Sequence, residues 1–207
     1  SDIRLAAGIG SRRVDCVFGG PPCQGFSMIG QRILNDPRNR LVLDFVRIVA
    51  ELDAKTFLFE NVKGLTVGHH RQFLTELVEA FDAAGYAVRQ PWKVLDAAHF
   101  AVPQHRERLI LMGAKKGLPL PEYPKPFTTP ADGKRAVDGL PVGPTCAEAL
   151  DDLPDVDAFL ELECGDMVRT SSFGAPSRYA AELRGLTNNA WHYGYVRGWE
   201  PEILTSS

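Results

Sequence analysis

Between Val14 and Ala84, short apolar runs alternate with amphipathic ones, and this alternation constrains the fold more than any other feature of the chain. Val14-Asp15-Cys16-Val17-Phe18 is a short apolar run closed by Gly19-Gly20-Pro21-Pro22, which reads as a buried strand ending in a tight loop. From Leu41 to Leu52 apolar residues recur at helical spacing: Leu41, Phe45, Ile48, Val49 and Leu52. Thr56 to Phe59 is strand-like again and leads into Glu60-Asn61-Val62. His70 to Ala84 forms an amphipathic helical pattern with Phe73, Leu74, Leu77, Val78 and Phe81 on one side, and Gly85 stands where a helix-ending glycine belongs. Strand, helix, strand, helix at this spacing predicts an α/β fold with a parallel sheet and crossover helices. Tyr86 to Leu95 and Arg108 to Ala114 follow as two strand-like runs with no helical segment between them, predicting an antiparallel hairpin at the end of the sheet. From Lys115 to Pro144 proline and glycine dominate, as in a connector leaving the domain. Short helices are predicted within Ala147 to Leu153 and Tyr179 to Arg184.

Bulk properties limit the partners. With 44% hydrophobic and 24% charged residues, the chain has enough apolar content for one sizeable core and a small second lobe. No apolar run approaches a membrane span, and no charged-then-apolar segment opens the sequence. Cys16, Cys23, Cys146 and Cys164 lack C-x-x-C spacing, so neither a zinc site nor a disulfide framework is expected, and reduced thiols fit a cytosolic protein. The net charge of −3 hides an asymmetry: residues 1–117 carry 16 basic and 12 acidic side chains, residues 118–207 carry 7 and 14. The first part can face phosphates. Glu148 to Asp166 contains no Lys or Arg and reads as a solvated acidic surface.

Three short motifs carry chemistry. In Gly19-Gly20-Pro21-Pro22-Cys23-Gln24-Gly25-Phe26-Ser27 a cysteine stands just beyond a strand's carboxyl end, where open α/β sheets bind ligands. A structural cysteine belongs inside the strand, as Cys16 does. On this logic alone, Cys23 is either a nucleophile or an inert loop residue. Glu60 also falls at a carboxyl end, as a candidate proton donor or as a loop-bonding acid. In Pro103-Gln104-His105-Arg106-Glu107-Arg108 the two arginines share a face of an extended chain, suited to a phosphate or a polar ring edge, or to a surface ion pair.

In this order and spacing, the Pro-Cys-Gln, Glu-Asn-Val and Gln-x-Arg-x-Arg motifs resemble those of the DNA (cytosine-5)-methyltransferases. The resemblance is close over residues 2 to 114. It continues more loosely through Tyr123-Pro124, Pro144-Thr145, Ala149 to Pro154 and Leu186 to Asn188. It implies a partial Rossmann-like sheet of the class I S-adenosylmethionine-dependent type, with a terminal antiparallel hairpin and an irregular connector. Residues 1–117 would be the catalytic-domain portion, and 118–207 the connector and the start of the target-recognition region. The resemblance assigns Cys23, Glu60, Arg106 and Arg108 to catalysis, Asp2, Ile3, Pro22 and Leu41 to the S-adenosylmethionine site, and Gln24, Ser27, Arg38, Asn61 and Gln104 to DNA. Ser27 to Arg40 matches a mobile loop that closes over DNA. His105, His99 and Ala101 depart from the commonest family residues. The implied substrate is double-stranded DNA with a flipped cytosine, in the cytoplasm or, in a prokaryote, associated with the nucleoid. No metal is implied.

The family's Phe-x-Gly-x-Gly cofactor loop is absent; Gly8-Ile9-Gly10-Ser11 is its nearest counterpart, with no good strand before it. The recognition domain and its following motifs are absent too. The sequence therefore predicts a portion of an enzyme, truncated at both ends or split from partner parts, inactive and binding S-adenosylmethionine poorly alone. A tRNA cytosine-5 methyltransferase and a non-catalytic remnant are the alternatives.

Overall fold

The computed structural model describes residues 3–22, 40–68, 70–187 and 203–205. These form two compact units, residues 1–96 with 106–125 and residues 97–105 with 126–207. Among the described residues, no helix is long and apolar enough to cross a membrane.

The first unit holds α1 (Ile3–Ala6), β1 (Cys16–Gly19), α2 (Arg40–Glu51), β2 (Thr56–Val62), α3 (His70–Ala83), β3 (Tyr86–Val88), β4 (Lys93–Asp96) and β5 (Glu107–Lys115). β1 and β2 are parallel, as the crossover pattern predicted. β5 runs antiparallel to β2 along its whole length, and its other edge takes both β3 and β4. The expected hairpin is thus present in a modified form. The run from Tyr86 to Leu95 is broken in two around the cis Gln90–Pro91 peptide, because proline cannot donate to a ladder. β5 is an interior strand.

Sequence periodicity explains the core. α2 buries Val42, Phe45, Val46 and Val49, one stripe at helical spacing, while Leu41 is left 52% exposed. α3 buries Phe73, Leu74, Leu77 and Phe81 completely. From β2, Phe57 and Phe59 point to the same side; Phe57 stacks on Phe81 at 3.9 Å between centroids, and Phe45 meets Phe59 edge-on at 5.6 Å. Gly113 is required where β5 crosses this layer, since a Cβ there would lie 2.3 Å from the Phe57 ring. Tyr86 is buried, its one hydroxyl proton shared between the carbonyls of Val49 (3.0 Å) and Ala54 (2.9 Å).

β1 is less buried than its composition predicted. Val17 packs against the core, but Cys16 is exposed and Phe18 is 79% exposed. The strand is at the sheet edge, and among the described residues only one of its faces is covered.

The second unit contains α4 (Cys146–Leu150), β6 (Met167–Arg169), α5 (Arg178–Leu183) and β7 (Ile203–Thr205), with β6 and β7 antiparallel. α4 begins with a reciprocal capping box between Thr145 and Glu148. Both short helices fall where the sequence suggested. The acidic stretch is mostly solvated, with one exception: Asp152 is buried and paired with Arg184, whose guanidinium lies 4.0 Å from the Phe173 ring centroid.

Candidate active site

The parallel register of β1 and β2 sets Gly19 opposite Phe59, so the chain leaving β1 passes directly beside Glu60. Glu60 is in the last turn of the pleat, on the face opposite the buried Phe59 and Asn61. Its carboxylate Oε1 is 2.8 Å from Arg108 Nε. The two residues are diagonal neighbours, because Val62 is the direct partner of Arg108 in the β2–β5 ladder. Both side chains are about a third exposed, at 37% and 27%, so the pair stands at the rim and is open to solvent. Arg108 Nη1 also donates to the Glu107 carbonyl at 2.9 Å. An acid and a guanidinium in contact at the carboxyl edge of a sheet can together hold a polar planar group and move a proton on it.

Asn61 occupies the reverse face of the same strand and is buried at 5% exposure. Its Nδ2 donates to the Pro21 carbonyl at 3.0 Å, and its Oδ1 accepts from the Val62 N–H at 2.9 Å. The side chain ties the Gly19–Pro22 loop to β2. Cys23, Gln24, Ser27, Arg38 and Asp2 lie outside the described residues.

The alternation argument for the two arginines holds only for Arg108. β5 begins at Glu107, and Arg106 precedes it as an exposed residue whose N–H donates to Asp96 Oδ1 at 3.1 Å. Asp96, 5% exposed, was not singled out by sequence; an acid closing an apolar run is its only trace there. Glu107 is held by Lys63, whose Nζ is 2.9 Å from both carboxylate oxygens. Of the residues assigned to the cofactor, Pro22 is exposed, Leu41 is half-exposed at the start of α2, and Ile3 on α1 is half-buried.

Gln104 belongs to the second unit and is exposed. It lines a cavity of about 490 Å³ with Pro103, His105, Asp132, Thr145 and Cys146 among its neighbours. His105 Nε2 is 3.1 Å from Asp132 Oδ1, and His99 Nε2 is 3.0 Å from the Arg135 carbonyl, so both histidines anchor the 132–135 turn. The Lys134 N–H and His105 hold the Asp132 carboxyl down at about 2.

The fold of this site is that of the DNA methyltransferases. A solved structure described as a DNA modification methyltransferase encoded within an E. coli prophage matches 99% of this chain and 54% of its own, with a TM-score of 0.62 at 22% identity. The chain belongs to a particular family of that class: residues 1–159 match the C-5 cytosine-specific DNA methylases. The Type II methyltransferase M.XorII of Xanthomonas oryzae pv. oryzae is 51% identical over 206 residues, which are 100% of this chain and 45% of that protein. The Type II methyltransferase M1.HphI of Haemophilus parahaemolyticus is 44% identical over 132 residues, covering 62% of this chain and 35% of that protein. The chain thus spans less than half the length of these two relatives.

Proposed function

We propose that this chain carries the catalytic residues of a DNA (cytosine-5)-methyltransferase, with Cys23 as nucleophile and a cytosine turned out of the duplex as substrate. Residues 1–117 are the catalytic portion, and 118–207 the connector and the start of the target-recognition region. The observation that carries the reading is the Glu60–Arg108 pair at 2.8 Å, beside a loop fastened to β2 through Pro21, two residues before Cys23.

Each residue then has a chemical task. The Cys23 thiolate adds to carbon 6 of the base, which makes carbon 5 nucleophilic. Glu60 stabilises the charge that develops at ring nitrogen 3. Arg108 holds the exocyclic oxygen at position 2, and Arg106 supports the base pocket. Once carbon 5 has taken up the methyl group and a base has removed its proton, Cys23 departs as a thiolate and the double bond between carbons 5 and 6 returns. Asn61 acts through the loop it fastens. Its buried amide and internal bonds suit that role better than the DNA contact the resemblance suggested. Gln24, Ser27, Arg38 and Gln104 contact DNA. S-adenosylmethionine, when bound, supplies an electrophilic methyl group. The accessible apolar surfaces of Pro22 and Leu41 fit packing against it, with Asp2 and Ile3 as the adjoining positions.

The test is a chimaera in which residues 1–207 replace the matching segment of the Xanthomonas relative. Incubation with duplex DNA containing 5-fluorocytosine and with S-adenosylmethionine is expected to give a denaturation-resistant adduct, absent in Cys23→Ser. An adduct that survives Cys23→Ser, or one formed with tRNA and not with DNA, overturns the reading.

A further inference from the structure

We infer that Gly20 is a positioning residue: the hydrogen in place of a side chain leaves the space in which the Glu60 carboxylate lies while it contacts Arg108. This inference rests on the proposed catalytic role of Glu60 for its functional meaning, but not for its geometry. A Cβ on Gly20 would stand 2.6 Å from Glu60 Oε2 and 3.5 Å from the Glu60 carbonyl. Gly20 is not among the glycines with positive φ, so backbone conformation does not demand a glycine there. The demand is steric and comes from one carboxylate oxygen.

The neighbour that must give way is the tip of a long side chain, so an added methyl has little effect on the fold. The tip is not free, however. Its other oxygen, Oε1, is engaged by Arg108 Nε at 2.8 Å. The carboxylate is therefore confined between the Gly20 backbone and the guanidinium. To reach ordinary contact at 3.4 Å, Oε2 must retreat by roughly 0.8 Å. A retreat of that size from Gly20 presses the carboxylate towards the guanidinium and cannot leave the 2.8 Å contact between Oε1 and Arg108 Nε as it is. Gly19 provides the contrast. A Cβ on it would meet the Phe45 ring at 3.0 Å, on the core face, and would leave Glu60 alone.

The experiment uses residues 1–207 with nitrogen-15 labelling. The Arg108 Nε–H signal is identified by its loss in Arg108→Lys. In the parent chain its chemical shift is expected to report the carboxylate 2.8 Å away, and Glu60→Gln should move it. In Gly20→Ala the signal should move as well, with little change in melting temperature. Gly19→Ala should lower the melting temperature and leave the signal as it was. An unmoved signal in Gly20→Ala overturns the inference, and so does an equal shift in Gly19→Ala. Adduct formation by the chimaera carrying Gly20→Ala is a separate readout. If Gly20→Ala disturbs the signal but not the adduct rate, positioning by Gly20 stands and the proposed role of Glu60 falls.

Discussion

Replacing Asn61 tests whether the Gly19–Pro22 loop is fastened to β2 as the hydrogen bonds indicate. The side chain is 5% exposed, donates to the Pro21 carbonyl at 3.0 Å and accepts from the Val62 N–H at 2.9 Å. Asn61→Ala removes a donor to the part-buried Pro21 carbonyl and an acceptor for the Val62 N–H. At about 1 kcal/mol net for each bond, the expected loss is about 2 kcal/mol. Asn61→Asp has nearly the same shape and keeps the acceptor for Val62. It loses the donor, however, and sets an anionic oxygen against the Pro21 carbonyl in a buried place. That cost is about 3 kcal/mol or more. The isosteric change is therefore the more damaging one. Urea unfolding followed by circular dichroism should give midpoints in the order parent, Asn61→Ala, Asn61→Asp, with the first step near 1 M for an m-value of about 2 kcal/mol/M. Acidification should narrow the gap between the two variants, because a protonated carboxyl can donate to Pro21 and burial favours the neutral form. If Asn61→Asp equals or exceeds Asn61→Ala in stability at pH 7, the donor bond to Pro21 does not fasten the loop.

Tyr86→Phe should cost about 1 to 2 kcal/mol in the same assay, since the lost hydroxyl shares its one proton between two buried carbonyls. Burial, with the Asp53 charge behind it, raises the Tyr86 pKa above 10.0. Its contribution is therefore complete below that pH and lost as pH rises through the folded value, so the parent should weaken in alkali and Tyr86→Phe should lack that part of the slope. Asp132 works in the opposite sense. Its carboxyl is lowered from 3.8 to about 2, so its contribution is present above 3.8 and lost as pH falls through 2. Asp132→Asn should flatten the acid limb of the melting curve in that window, and an unchanged limb would refute the His105 and Lys134 contacts.

Much of the fold was legible because it follows from local patterns. The stripes of α2 and α3, the alternation of β2 and the motif order depend on residues close in sequence. Those motifs also identified the family, since their chemistry needs particular residue types. What sequence could not reveal was every relation between distant residues. The partner of Glu60 is 48 positions away, the carbonyl that Asn61 holds is 40 away, and Asp96 serves an N–H across the intervening 97–105 segment. The exposure of Cys16 and Phe18 was decided the same way, by which strand edge and which face found a partner. Periodicity determines which side of an element is apolar; the register between strands decides what that side, and the polar one opposite, will touch.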